Sequence, residues 1–134
     1  NHFPSRKKEE VEKKAIKVGV LGLGVGTVAA YGRRRDIIRF YEINKDIEST
    51  AREYFSYLEN SRAKIEVVMG DARLSMKREL ETNGSQQYDV LIVDAFSGDA
   101  VPIHLLTQEA SDIYWRHLKA YRKIALQSHL FVLW

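Results

Sequence analysis

Short apolar runs alternate along the chain with longer segments whose apolar residues recur every three or four positions. The runs are residues 16–21, 37–43, 65–69 and Tyr88–Val93. Their length and β-branched content predict buried strands, and the last is continuous enough for the middle of a parallel sheet. The intervening segments read as helices. Residues 27–31 can start one that Gly32 weakens or ends. Asn44 or Asp46 can cap a second, with Ile47, Ala51, Phe55 and Leu58 on one stripe. A third follows Gly70 and Asp71 and runs to about Thr82. Thr107 can cap a fourth, striped by Ala110, Ile113, Tyr114 and Leu118. Residues 124–126 predict a fifth strand. Strands and helices in alternation imply parallel strands joined by right-handed crossovers. The expected class is therefore α/β, a doubly wound, mainly parallel sheet. Residues 1–15 are polar and charged and read as a tail, which leaves residues 16–134 as a single domain.

Composition narrows the chemistry. The chain has 134 residues, 45% of them hydrophobic and 29% charged, so it can build a core. It has no cysteine, which excludes a disulfide scaffold, a thiolate metal site and a cysteine nucleophile. Its apolar runs are far too short to span a bilayer, so a cytoplasmic protein is expected. The net charge of +3 gathers at residues 6–14 and 33–35. No aromatic-rich sheet or recognition-helix pattern accompanies these clumps, which favours solvated surface over a nucleic-acid contact. Open sheet edges on a short chain make a homodimer an expectation.

Ligands of doubly wound sheets bind at the carboxyl ends of the strands, beside the switch in strand order. Four such ends carry chemistry here. Gly22-Leu23-Gly24-Val25-Gly26 follows the first strand, Glu42 closes the second, Gly70-Asp71-Ala72 follows the third and Asp94 follows the fourth. The glycines allow a tight turn with exposed N–H groups, although such turns also serve plain strand–helix packing. Glu42 lies 20 residues beyond Gly22, which suits a carboxylate accepting from two ribose hydroxyls. Asp71 can accept from an adenine amino group or cap the next helix. Asp94 follows a central strand, where a carboxylate is costly to desolvate unless paired or functional. The glycine spacing is G-x-G-x-G with Thr27 at the sixth position, not G-x-G-x-x-G. That form suits S-adenosylmethionine-type ligands better than NAD. His104, His117 and His129 are further candidates for proton work, and Tyr114 and Trp115 read as packing residues. No spacing among histidines and acids suggests a metal.

Four segments together, VGVLGLGVGTVAAYG (18–32), YEIN (41–44), GDAR (70–73) and YDVLIVDAFSGDAVPIHLLT (88–107), resemble the core of the spermidine synthase-like proteins. These form a branch of the class I S-adenosylmethionine-dependent methyltransferase fold, and the resemblance covers about three quarters of the chain. It implies a transferase using S-adenosylmethionine or decarboxylated S-adenosylmethionine, without a metal, and a polyamine acceptor. Gly22, Leu23, Gly24, Val25 and Gly26 would turn around the amino-acid or aminopropyl part of the ligand. Glu42, with Ile43 beside it, would hold the ribose. Asp71 and Ala72 would meet the adenine, while Asp94, flanked by Ala95, would handle the attacking amine. The sequence departs from the family where a second aspartate, three residues after Asp94, is replaced by Ser97. Gly98 and Asp99 come next, and proline only at Pro102. The family's N-terminal β domain is expected to be absent, and a truncated set of C-terminal strands is expected. Two other readings stay open: a non-catalytic module that binds a nucleoside thioether or serves assembly, and an NAD-linked oxidoreductase.

Overall fold

The computed structural model describes residues 13–94, 105–126 and 131–133, with backbone alone from residue 121 onward. Its elements are β1 (Lys17–Leu21), a 3-10 helix (Thr27–Tyr31), β2 (Ile37–Glu42), α1 (Lys45–Tyr54), β3 (Lys64–Met69) and α2 (Ala72–Asn83). Then come β4 (Tyr88–Val93), α3 (Gln108–His117), β5 (Leu118–Leu126) and β6 (Phe131–Leu133). The strands form one sheet in the order β3-β2-β1-β4-β5-β6, with the first five parallel and β6 antiparallel to β5. The chain order reverses between β1 and β4. This is the doubly wound Rossmann-like sheet that the alternation implied.

Three caps hold the α-helices where the sequence placed them. Asn44 accepts from the Asp46 N–H at 2.9 Å, Asp71 from Leu74 at 2.9 Å and Thr107 from Ala110 at 3.2 Å. Three expectations shift. Residues 27–31 wind as a 3-10 helix, because glycines flank a segment only five residues long. The Asn44-capped helix stops at Tyr54, so Phe55 leaves its stripe and is partly exposed. The fifth strand starts at Leu118, directly from α3, so Leu118 is buried as a strand residue.

Alternation along the strands sends side chains to two cores. Val18, Val20, Ile38 and Phe40 meet Ala29, Ala51 and Leu58 on the face under the 3-10 helix and α1. Leu21, Tyr41, Leu91 and Val93 meet Met76, Ala110 and Tyr114 under α2 and α3. Burying one such side chain is worth about 1.5–3 kcal/mol. Gly19 belongs to this second face. A Cβ there would stand 2.7 Å from Leu91 Cδ1 and 2.9 Å from the Tyr88 ring, so the close approach of β4 to β1 requires glycine.

Polar groups cross this second core in a connected chain. Arg39 binds Glu66 at 2.8 Å and also Glu79 of α2; the Tyr41 hydroxyl donates to Glu79 at 2.7 Å and meets the Tyr88 hydroxyl. Burial raises the phenol pKa of both tyrosines, so they are neutral at any physiological pH. His117 is fully buried beside Tyr88. Its Nδ1 accepts from the Gln86 N–H at 2.9 Å and its Nε2–H donates to the Met76 carbonyl at 2.7 Å.

Candidate functional site

Hydrogen bonds bind the carboxyl ends of four strands into one edge. The Gly22 N–H donates to the Tyr41 carbonyl, Gly70 N–H to Glu42, and Asp94 N–H to Leu21, each at 2.8 Å. Glu42, Asp71, Asp94 and the glycine turn therefore lie along one side of the sheet. In strand order the row runs Asp71, Glu42, glycine turn, Asp94. Three strand spacings make it about 14 Å long. The turn has φ of +98° at Gly22, +54° at Gly24 and +84° at Gly26, backbone that side chains with a Cβ rarely adopt. Above Gly24 a Cβ would meet no atom within 4 Å. Gly24 thus faces open space, whereas at Gly26 a Cβ would stand 2.9 Å from the Leu58 side chain.

Glu42 is buried, and both carboxylate oxygens are already engaged. Oε1 accepts from the Leu23 N–H at 3.1 Å and Oε2 from the Asn44 N–H at 3.0 Å. It thus braces the glycine turn against the start of α1. Each oxygen keeps a further lone pair, enough to accept from two ligand hydroxyls. Ile43, beside it, is 69% exposed. Asp71 caps α2, with Ala72 buried as the helix's first residue. Capping engages one Asp71 oxygen.

Asp94 is partly buried, and burial pushes its carboxyl pKa up. No cation pairs with it among the described residues. It continues the row of Val90 and Ile92 on β4, two residues apart each time, on the face that carries the 3-10 helix. Along that face runs a groove of about 640 Å³, floored by Val18, Val90 and Ile92 and walled by Val28 and Tyr31. The Gly24–Val25 turn and Asp94 close its end. The sequence reading did not find this groove. Its signal was present in the alternation of Val90, Ile92 and Asp94, but the continuous apolar run hid which of these side chains share a face with Asp94.

The remaining candidates separate from this edge. His117 is corrected from a proton-transfer candidate to a core residue, because both ring nitrogens are satisfied inside the α2–α3 core. Burial lowers its pKa. Tyr114 packs as expected, its hydroxyl donating to the Leu105 carbonyl at 2.8 Å, whereas Trp115 is 45% exposed and is no core residue. Ala95, Ser97, Gly98, Asp99, Pro102, His104 and His129 lie outside the described residues. Among the described residues, no three acids or histidines gather as metal ligands, and no helix is long and apolar enough to cross a membrane.

No family model matches the chain. A polyamine aminopropyltransferase from Vibrio vulnificus (strain CMCP6) is 30% identical over 102 residues, 72% of this chain and 32% of that protein. The chain thus spans about a third of this curated relative's length. Human methyltransferase-like protein 13 in complex with SAH superposes with a TM-score of 0.71 at 18% identity, covering 84% of this chain and 54% of that one. Spermidine synthase in complex with the transition state analogue AdoDATO superposes at 0.65 with 19% identity, covering 83% and 38%. At such identities these two structures speak for the fold.

Proposed function

We propose that residues 16–134, which share the fold of class I S-adenosylmethionine-dependent methyltransferases and are similar to a polyamine aminopropyltransferase, bind S-adenosylmethionine or its decarboxylated form and transfer an alkyl group to an amine. The observation that carries this reading is Asp94: a partly buried carboxylate with no cation beside it among the described residues, at the strand-order switch next to the glycine turn. A cationic sulfonium or amine is the partner such a carboxylate lacks.

The bound ligand supplies an electrophilic carbon beside a sulfonium, which leaves as a neutral thioether when the amine lone pair forms the new C–N bond and the C–S pair goes to sulfur. The protein's share is alignment and exclusion of water. Glu42 accepts from the ribose hydroxyls through its free lone pairs while holding the glycine turn. Asp71 and Ala72 meet the adenine, two strands away. Asp94 orients the amine and accepts its proton as the bond forms. Its raised pKa brings it nearer to that task than an ordinary carboxylate at about 4. Homologues of both kinds make methyl and aminopropyl transfer the two forms of the reaction, and the spermidine synthase-like motif at residues 88–107 favours an aminopropyl group and a polyamine-class acceptor.

Calorimetry with S-adenosylmethionine, decarboxylated S-adenosylmethionine, methylthioadenosine and NAD tests the ligand class, and turnover with putrescine tests the transfer. Binding of the nucleoside thioethers but not NAD is the expected result. Binding of NAD alone would overturn the reading. Nucleoside binding without transfer to any amine would reduce the chain to a binding module.

A further inference from the structure

We propose that the amino-terminal edge of the sheet, opposite the candidate site, binds single-stranded nucleic acid through cations set beside exposed aromatic rings. The proposal is independent of the transferase reading. Three observations carry it.

The first is assembly. Three segments meet at this edge: residues 13–16 before β1, 31–36 before β2, and 54–64, which end α1 and enter β3. The Ile37 N–H donates to the Ile16 carbonyl at 3.0 Å and the Lys64 N–H to the Asp36 carbonyl at 2.9 Å. The Arg33 guanidinium donates to the Lys14 carbonyl at 3.2 Å. The Ser61 hydroxyl donates to the Ala29 carbonyl at 2.7 Å, and a Cβ at Gly32 would stand 2.5 Å from that of Ala63. The end of the 3-10 helix therefore lies against residues 61–63. Two strand spacings make the edge about 10 Å wide.

The second is charge. These segments hold seven Lys and Arg residues against two acids, Asp36 and Glu59. Asp36 is buried and already accepts from the Arg33 guanidinium and the Ile16 N–H. Lys64 is shared with Glu66 at 3.4 Å, while Arg34 and Arg62 are exposed. Residues 1–12, which lead into this edge, carry three cations and three acids and leave the balance unchanged.

The third is aromatic surface. Tyr31 is 81% exposed and Tyr54 72%. Phe55 and Tyr57 are exposed as well, their rings nearly parallel with centroids 6.3 Å apart. Tyr54 lies 20 residues from Arg34 in the chain, so the fold, not the sequence neighbourhood, puts rings and cations on one edge. That pairing was what the basic clump at residues 33–35 lacked when read along the chain. Ring faces stack unpaired bases while Lys and Arg meet the phosphates. A duplex hides its base faces, and polyphosphate has none, so neither would use the rings.

Fluorescence anisotropy of the full chain with a labelled oligouridylate of about 12 nucleotides tests this, beside a labelled RNA duplex of equal length. Polyphosphate and phosphatidylserine vesicles serve as competitors. The single strand should bind about tenfold more tightly than the duplex. Its affinity should fall with salt at a log–log slope of about 0.7 per phosphate neutralised. Arg34→Gln and Arg62→Gln should each lower that slope by about 0.7. Tyr54→Ala and Phe55→Ala should each weaken binding about tenfold and leave the slope unchanged. Tyr54, the more exposed ring, keeps the test should Phe55→Ala not fold. Equal affinity for the duplex, unchanged affinity in Tyr54→Ala, or equal displacement of the strand by polyphosphate or vesicles at matched charge would overturn the inference.

Discussion

Replacing Glu42 with glutamine separates the two jobs assigned to this side chain. The carboxylate accepts from two backbone donors, Leu23 N–H and Asn44 N–H, one on each oxygen. Glutamine keeps the shape but has one acceptor oxygen, so its amide group must face one of those donors. A buried donor left without an acceptor costs about 1–3 kcal/mol. That is the expected loss of stability in the free protein, and thermal unfolding would show it as a melting point lower by about 4 °C per kcal/mol. Ligand binding suffers separately. One charge-assisted bond to a ribose hydroxyl, worth about 1.5–3 kcal/mol, becomes a neutral bond worth about 0.5–1.5. Methylthioadenosine should therefore bind about tenfold more weakly by calorimetry. Unchanged affinity in Glu42→Gln would refute the ribose contact and leave only the brace. An unchanged melting point with lost affinity would refute the brace and leave only the contact.

Other outcomes follow from the same geometry. Asp94→Asn should lower transfer by a factor of about 10² or more and leave methylthioadenosine affinity nearly unchanged. The same variant should melt higher than wild type at pH 7, since burial raises the Asp94 pKa and the folded state favours its neutral form. A lower melting point would contradict that burial cost. His117, whose pKa burial lowers, binds fewer protons folded than unfolded. Stability should then fall as the pH drops below the unfolded value of about 6.5, and His117→Gln should remove that part of the slope in urea titrations at several pH values. Gly19→Ala places a methyl group against Leu91 and Tyr88 and should cost about 1–3 kcal/mol in urea unfolding; an unchanged urea midpoint would refute the requirement for glycine there.

The parts of this protein that could be read from the sequence are those where one residue type meets one local requirement. Asn44, Asp71 and Thr107 cap helices because a short acceptor side chain is needed there whatever the rest of the fold does. The strand ends were legible for a related reason: parallel strands fix which end faces the ligand, and the residues just beyond each run can be counted. His117 was not legible. It ends an amphipathic helix like many surface histidines. Its role depends on Gln86 and Met76, 31 and 41 residues away, and nothing local encodes their arrival. The network from Arg39 to Tyr88 was hidden likewise, since β2 reads as apolar until Glu79 of α2 is laid across it.

Glu42 shows how the two kinds of information combine. The sequence gives a carboxylate at the right distance from the glycines but cannot show that Leu23 and Asn44 already use it. A turn braced before the ligand arrives pays less ordering entropy on binding. The three positive-φ glycines make such a turn accessible, and Glu42 selects one conformation of it. Among the described residues Asp94 has no equivalent brace from a cation, and burial raises its pKa. The nucleoside half of the edge is thus pre-organised, while the reacting half holds a carboxylate that no cation among the described residues meets. A site arranged this way should bind the nucleoside first and the amine second. Initial-rate kinetics would show this as an ordered mechanism, and a ping-pong pattern would contradict it.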